Sequence, residues 1–410
     1  MSERFWKNLS HLAGLFSLVA VFSLLVFAAN IEIKDLDLWL HIGMGRYIVT
    51  HGFAVPSVDV LSCSIAGKPW VNHEWLFQII VYYINKFWGP DGLIMMQVVV
   101  VTLTMTILLF LGYNKRNQFG SVLMLLLVTI VYQGRFTIRP DLYSLLFFAL
   151  YIFILSFYID RKWSLYVLFL IQLLWSNMHG FFFFGPLFVL IGIVAEWLKR
   201  HVPLPYQWNS VARLSDDEYR RMRWIFVFLV LACLFNPLTF RGAWYPISVF
   251  FQISGESKIF FEKIIELKRP ISLDTLFAVD YSFYKLMILL SLVSFYFNRK
   301  KLDIGVFIFW LIFLLFSLAA IRNLIFFAFA AYLAYATNAL SISLPRILPF
   351  RIKDRKFLHI CSLGLKVFLT MWIMQYGMEI SLNGYFDFEK YQRKSEYGSL
   401  NGKSNKNWWR

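Results

Sequence analysis

The sequence predicts an all-α polytopic membrane protein with about eleven transmembrane helices and a long first outer loop carrying surface helices. Three observations predict it. Hydrophobic residues make up 59% of the 410 and charged residues only 16%. Several apolar runs reach the roughly 17 to 25 residues that a spanning helix requires. Basic residues crowd into alternate loops between those runs, as the positive-inside bias demands. The 44 Phe, 21 Tyr and 15 Trp suit lipid-facing and interfacial positions. A net charge of +16 would fit nucleic acid. Its placement in short inter-span loops fits orientation and anionic lipid instead, so no nucleic-acid partner is expected. Cys63, Cys233 and Cys361 are far apart and form neither a disulfide framework nor a zinc motif.

Taken in order, residues 12–29 follow Arg4 and Lys7 and form the first apolar run. The run is long for a signal-peptide core and its cleavage site near Ala28 is weak, so it reads as an uncleaved anchor. Residues 30–92 form the first outer loop. Amphipathic patches at 38–49 and 75–87 lie on the membrane surface, and the second stops at the turn signal Gly89-Pro90-Asp91-Gly92. The further spans are 93–111, 119–133, 142–158, 163–175, 181–197, 224–238, 283–297, 304–320, 324–340 and 358–375. A short polar tail, 377–410, follows on the outer side. With the N-terminus inside, the inner loops collect Lys115 and Arg116, Arg161 and Lys162, the basic residues from Lys199 to Arg223, Arg299 to Lys301, and those from Arg346 to Lys356. Counting 75–87 as a further span would move these dense clusters outside and break the bias.

That topology gathers the unusual polar groups on one side. They are Asp35, Asp37 and His41; Asn72-His73-Glu74-Trp75; Gly134 to Asp141, with Arg135 and Arg139; Ser176-Asn177-Met178-His179-Gly180; Asn236 to Gly242, with Arg241; and Ile321-Arg322-Asn323. The spans leading to Gly134, Ser176 and Asn236 are short, so their polar ends should sit below the outer surface. Such groups are tolerated there only where they line a protein cavity or face water. A recessed polar site that opens outward is expected.

Arg135, Arg139, Arg241 and Arg322 are fixed cations suited to phosphate. Asp35, Asp37 and Glu74 are carboxylates able to act as a general base or to hold a divalent cation such as Mg or Mn, chiefly through Asp35 and Asp37. Asp37 and His41 are four apart and share one helical face. Catalytic roles are therefore expected for Asp37, Asp35 and His41, and substrate binding for Glu74, His73, Arg135, Arg139, His179, Arg241 and Arg322. A site with both charges at outer-leaflet depth suits a lipid-linked phosphate attacked by a hydroxyl. No G-x-x-x-x-G-K-[ST] loop is present, so ATP-driven work has no sequence support.

These residues resemble a family. The run Asp35 to Gly45, then Trp70 to Leu76, with Trp175 to Gly180 and Asn236-Pro237, is similar to a bacterial branch of the GT-C superfamily of integral-membrane glycosyltransferases. That superfamily includes protein O-mannosyltransferases and the aminoarabinose transferases of lipid A. The resemblance covers roughly residues 1–340 and implies a GT-C-like transmembrane domain over 1–376. It also implies a polyprenyl-phosphate sugar donor, an acceptor hydroxyl on a glycan, lipid or protein, and an active site on the periplasmic or extracellular side of the plasma membrane. The superfamily places its catalytic base or metal ligand in the first outer loop, which points to Asp37 or Asp35. Many members add a folded outer C-terminal domain, where this sequence has the short tail.

Each residue also has a plainer role. Asp35 and Asp37 could cap the helix that starts near Leu38. His41 could be an interfacial polar tip, and His73 and Glu74 could merely begin the second surface helix. Arg135 and Arg139 could snorkel to headgroups, and Arg241 and Arg322 could pair with outer carboxylates. His179 could satisfy local backbone groups, and Phe181 to Phe184 read as lipid-facing or packing. The alternatives to a transferase are a polymerase or ligase of lipid-linked glycans, and a lipid-linked sugar transporter or flippase. The sequence shows no internal repeat of the kind transporters carry.

Overall fold

The computed structural model describes residues 2–33, 35–254, 264–272, 276–341, 355–384, 386–387 and 392–393. The rest of the 377–410 tail lies outside the described residues. The described chain is helical: α1 Glu3–Ala29, α2 Asp37–Thr50, α3 Trp75–Gly112, α4 Gln118–Tyr132, α5 Asp141–Phe157, α6 Trp163–Trp175 and α7 Phe184–His201. Then come α8 Asp216–Ala232, α9 Thr239–Ser254, α10 Ser282–Phe297, α11 Ile304–Ala319, α12 Leu324–Ser341 and α13 Arg355–Gly384. A two-residue ladder pairs Phe386 with Arg393 and Asp387 with Gln392.

Five stretches are long and apolar enough to cross a membrane: Glu3–Ala29, Trp75–Gly112, Gln118–Arg135, Gly180–His201 and Lys356–Ile380. Four further apolar helices, Asp141–Phe157, Trp163–Trp175, Ser282–Phe297 and Ile304–Ala319, are shorter than 18 residues. The expectation of about eleven spans therefore goes beyond what helix length supports. One physical reason is visible at the helix ends. Short 3-10 turns at Gln133–Arg135, Gly180–Phe183 and Ile321–Asn323 interrupt or replace the α-helical ladder where the polar motifs begin.

The patches read as a surface helix at 75–87 and a span at 93–111 form one element, α3. Its break falls at Gly89, whose φ of 66° and ψ of −163° leave the helical region. Pro90 removes the next backbone donor. The turn signal was real, but the helix resumes after it. The other surface helix, α2, packs flat on α3. A Cβ at Gly45 would lie 2.1 Å from the Gln78 carbonyl oxygen, so only glycine permits this approach.

The core is dense in aromatic rings. Phe148 stands edge-on to Phe188 at 4.7 Å and to Phe313 at 5.0 Å. Phe184 packs 5.0 Å from Phe326, so this part of the 181–184 run is packing. Phe327 to Ala331 of α12 are fully buried, which places α12 in the middle of the bundle. A helix apolar on all sides belongs there. α1 and α13 pack along each other, where Ser17 Oγ bonds Thr370 Oγ1 at 2.8 Å.

Candidate functional site

The loops that carry the polar motifs meet at one end of the bundle, the motif end. The Asn72-His73-Glu74-Trp75 segment docks on the turn after α6. Trp75 Nε1 donates to Asn177 Oδ1 at 2.8 Å, and Leu76 N donates to the Asn177 carbonyl at 3.2 Å. Asn177 Nδ2 in turn reaches the Phe235 carbonyl at 2.9 Å, tying in the turn after α8. The backbone of Ile321 donates to the Lys268 carbonyl at 2.9 Å, which joins the turn before α12 to the loop around 264–272.

Arg139, in the loop before α5, is a hub. Its guanidinium binds Asp35 through both carboxylate oxygens, and it reaches Asp37 at 3.0 Å and Glu266 at 3.5 Å. Asp35 also accepts from the Asp37 backbone N–H at 3.1 Å, so it starts α2 and anchors it at once. Burial acts to raise the Asp35 pKa, but the Arg139 bond and the Asp37 N–H outweigh it and hold the carboxyl below its ordinary 3.8. Arg139 is raised, first by its bond to Asp35. Asp37 differs from Asp35: its side chain is 61% exposed against 9%.

Arg135 is paired with Asp141 and, at 3.0 Å, with Glu266. Arg322 is the exception among these cations. It forms no ion pair among the described residues, and its guanidinium lies 5.5 Å over the Phe181 ring. Burial lowers its pKa, with Asp141 the nearest influence in the other direction. A desolvated guanidinium without a carboxylate on it is prepared for an anion.

Glu74 lies beside these pairs and is surrounded by imidazoles. His73 Nε2 is 3.4 Å from Oε1, His179 Nε2 is 4.0 Å from Oε1, and His41 Nδ1 is 3.9 Å from Oε2. Burial acts to raise Glu74, yet the three histidines, His73 first, bring it down to about 2. Burial lowers His179 to about 4, and burial also lowers His41 against the pull of Glu74, Asp37 and Asp35. Tyr245 of α9 closes the side of the cluster, with its ring 4.3 Å from that of His73.

Nine of the ten expected site residues therefore converge: Asp35, Asp37, His41, His73, Glu74, Arg135, Arg139, His179 and Arg322. Arg241 does not join them. It is exposed at the start of α9 and makes no ion pair among the described residues. Asn236, expected in the same motif, builds its own turn by accepting from Leu238 N at 2.9 Å and donating to the Cys233 carbonyl at 2.9 Å. Glu266 and Tyr245 were not foreseen. Both belong to the long stretch after α8, where no spacing rule singles them out, although Asp141 stood in a motif already noticed. As to Mg or Mn, among the described residues no three His, Cys, Asp or Glu side chains are placed to hold a metal ion. Asp35 and Asp37 share Arg139 instead of framing an open cation site, so the donors present do not fit that role.

The helical bundle with its charged motif end defines an α-helical membrane protein whose fold is shared with solved oligosaccharyltransferases. The particular likeness is to archaeal oligosaccharyltransferase. The apo enzyme of Archaeoglobus fulgidus superposes with a TM-score of 0.56 at 12% identity, covering 89% of this chain and 56% of that one. The structure of Archaeoglobus fulgidus AglB in complex with an inhibitory peptide and a dolichol-phosphate gives a TM-score of 0.54 at 12% identity, covering 88% and 55%. This chain thus spans little more than half the length of those proteins, and at such identity the likeness is one of fold. No family model and no curated protein sequence matches.

Proposed function

We propose that the protein is a membrane glycosyltransferase that moves a sugar from a polyprenyl-phosphate donor to an acceptor hydroxyl, with the motif end facing the periplasm or cell exterior. The observation that carries this reading is Arg322, a desolvated guanidinium without an ion pair among the described residues, beside the buried Asp141. It suits the phosphate of a lipid-linked donor, and dolichol-phosphate is what the AglB structure holds. The reaction requires charge stabilisation for the leaving phosphate, a proton acceptor and exclusion of water. Arg322 answers the first, with Arg139 and Arg135 able to exchange carboxylate partners for phosphate. Asp35, Asp37, His41 and Glu74 are the groups available for the second.

The test is binding and turnover by the full chain in lipid nanodiscs. Polyprenyl phosphate should bind, and a panel of polyprenyl-phosphate sugars should contain one that is consumed only with an acceptor alcohol present. Loss of one charge-assisted contact in Arg322→Ala should weaken polyprenyl phosphate binding by roughly 1.5–3 kcal/mol. Arg322→Lys should restore only part of it, because a point charge does not reproduce a planar fork. Binding unchanged in Arg322→Ala would remove the support for this reading.

A further inference from the structure

The three imidazoles around Glu74 are not equivalent. His73 Nδ1 lies 3.3 Å from the Val71 carbonyl, which only accepts, so that nitrogen carries a proton. Its Nε2 faces Glu74 at 3.4 Å, and both ring nitrogens are committed. His179 is committed in the same way, with Nδ1 at 2.8 Å from Ser144 Oγ and Nε2 toward Glu74. Ser144 is itself held by the Trp175 indole N–H at 2.8 Å. His41 differs from both. Its Nδ1 faces the other oxygen of Glu74, is buried and has no hydrogen-bond partner. Yet a tenth of the side chain remains open. Nδ1 is buried, so that opening belongs to other atoms of the side chain. Phe77 stands edge-on at 5.3 Å and holds the plane of the ring.

We infer that Glu74 and His41 form a carboxylate–imidazole dyad, with His41 the general base of the proposed transfer and Glu74 the residue that positions it. The inference rests on the transferase reading above and deepens it. A proton on Nδ1 directed at Glu74 fixes the tautomer and leaves the lone pair on Nε2. The 3.9 Å separation is longer than a hydrogen bond. Such pairs are commonly loose in ligand-free sites and tighten when substrate binds. In the reaction Nε2 takes the proton of the acceptor hydroxyl. The oxygen's electron pair forms the bond to the anomeric carbon, and the bond from that carbon to the phosphate oxygen breaks with its pair going to phosphate. The ionised Glu74 stabilises the imidazolium until the proton leaves to water.

The charged groups that face His41 are Glu74 from the start of α3, Asp37 and Asp35 from the start of its own helix, and Arg139 from the loop before α5. Burial outweighs the carboxylates and keeps the imidazole below its ordinary 6.5, hence neutral and able to accept a proton at pH 7. Asp37 is a poorer base by position. It is largely exposed, where water competes, and it is held by Arg139 at 3.0 Å.

The test uses the full chain in nanodiscs with diethyl pyrocarbonate, which acylates neutral accessible imidazoles, and reads His41 by peptide mass spectrometry across pH. The midpoint of His41 acylation should lie below 6.5. Glu74→Gln removes an anion that favours the imidazolium, so the midpoint should move to lower pH. With a donor that is consumed, His41→Gln should lower kcat by about a hundredfold or more while polyprenyl phosphate binding is retained. Glu74→Gln should lower kcat and carry the acid limb of the pH–rate profile downward with it. Added imidazole should restore part of the rate to His41→Ala, which a merely structural role for His41 would not produce. Acylation of His41 that ignores Glu74→Gln, or His41→Gln turning over like the parent, overturns the dyad. A parent that consumes no donor overturns the transferase reading and the base assignment with it, while the acylation shift would still report the pair.

Discussion

The two ends of the bundle use their charges differently. At the end opposite the motifs, charges pair with close neighbours, although Glu196 Oε2 and Arg200 Nε are buried there without a hydrogen bond. Lys199 meets Glu196 at 3.2 Å, Asp303 at 3.7 Å and the Ala212 carbonyl at 3.1 Å. Arg200 pairs with Asp216 and donates to the Leu214 carbonyl at 2.8 Å. Arg221 donates to the Ile159 carbonyl at 2.8 Å. Ser215 and Glu218 close a capping box at the start of α8. These bonds tie loops to helix ends. At the motif end the pairs are shared and incomplete. Arg139 serves three carboxylates, Glu74 faces three imidazoles, and Arg322 has no ion pair among the described residues. His41 Nδ1 and Asp141 Oδ1 are buried without a hydrogen bond. Unsatisfied buried polar atoms are costly, and at the motif end His41 Nδ1 and Asp141 Oδ1 are the atoms a ligand would complete.

The comparison can be broken from either end. The largest effect is expected at the end opposite the motifs. Lys199→Met leaves Glu196 buried with a weakened set of partners and should cost about 3–5 kcal/mol in stability. Thermal unfolding in detergent would show it, and polyprenyl phosphate binding by the folded fraction should be unchanged. Arg139→Ala should destabilise by roughly 1.5–3 kcal/mol, less because Asp37 and Glu266 are partly solvated. Unlike Lys199→Met, it should also loosen α2, read as faster proteolysis in residues 30–74. If Lys199→Met weakened lipid-phosphate binding as much as Arg322→Ala does, the two ends would not be functionally distinct.

A pH scan sharpens the contrast further. His179 moves from an ordinary 6.5 to about 4 in the folded protein. As pH falls from 6.5 toward 4, the unfolded chain takes up a proton that the folded one refuses, so stability declines. Glu74, ordinarily 4.5 and about 2 when folded, contributes stability above 4.5 that is lost as pH falls toward 2. His179→Gln should lessen the decline in the upper window, where the lowered His41 still acts, and raise the lower limit slightly because His179 helps hold Glu74 down, measured as Tm against pH. The smallest effect is expected for Asp216→Asn. The Arg200 partner is a fully solvated carboxylate, and both Tm and donor binding should match the parent.

Much of the motif end was legible because charge bias along an apolar chain reports sidedness without any knowledge of packing. That bias grouped Asp35, His41, Glu74, Arg139, His179 and Arg322 before any contact was known. The spacing of Asp37 and His41 on one helix was legible too. Arg241 misled because sidedness does not give depth. It lies on the start of an amphipathic helix, turned to solvent, while Tyr245 on the same helix reaches His73. Glu266 gave no signal, since a single acid among Ile265, Leu267 and Lys268 fits any loop.

The sequence by itself determined the membrane class, the apolar helices and the polar motifs that meet at one end, because hydropathy, turn chemistry and charge bias are properties of local stretches. Tertiary structure alone decided the partners. It gave Asp35 to Nε and Nη2 of Arg139 with Asp37 sharing Nη2, left Arg322 without a carboxylate among the described residues, and turned one oxygen of Glu74 to His41 and the other to His73 and His179. Helical periodicity relates residues three and four apart. The separation of 33 in sequence between His41 and Glu74 is closed by α2 lying on α3, at the approach that Gly45 permits.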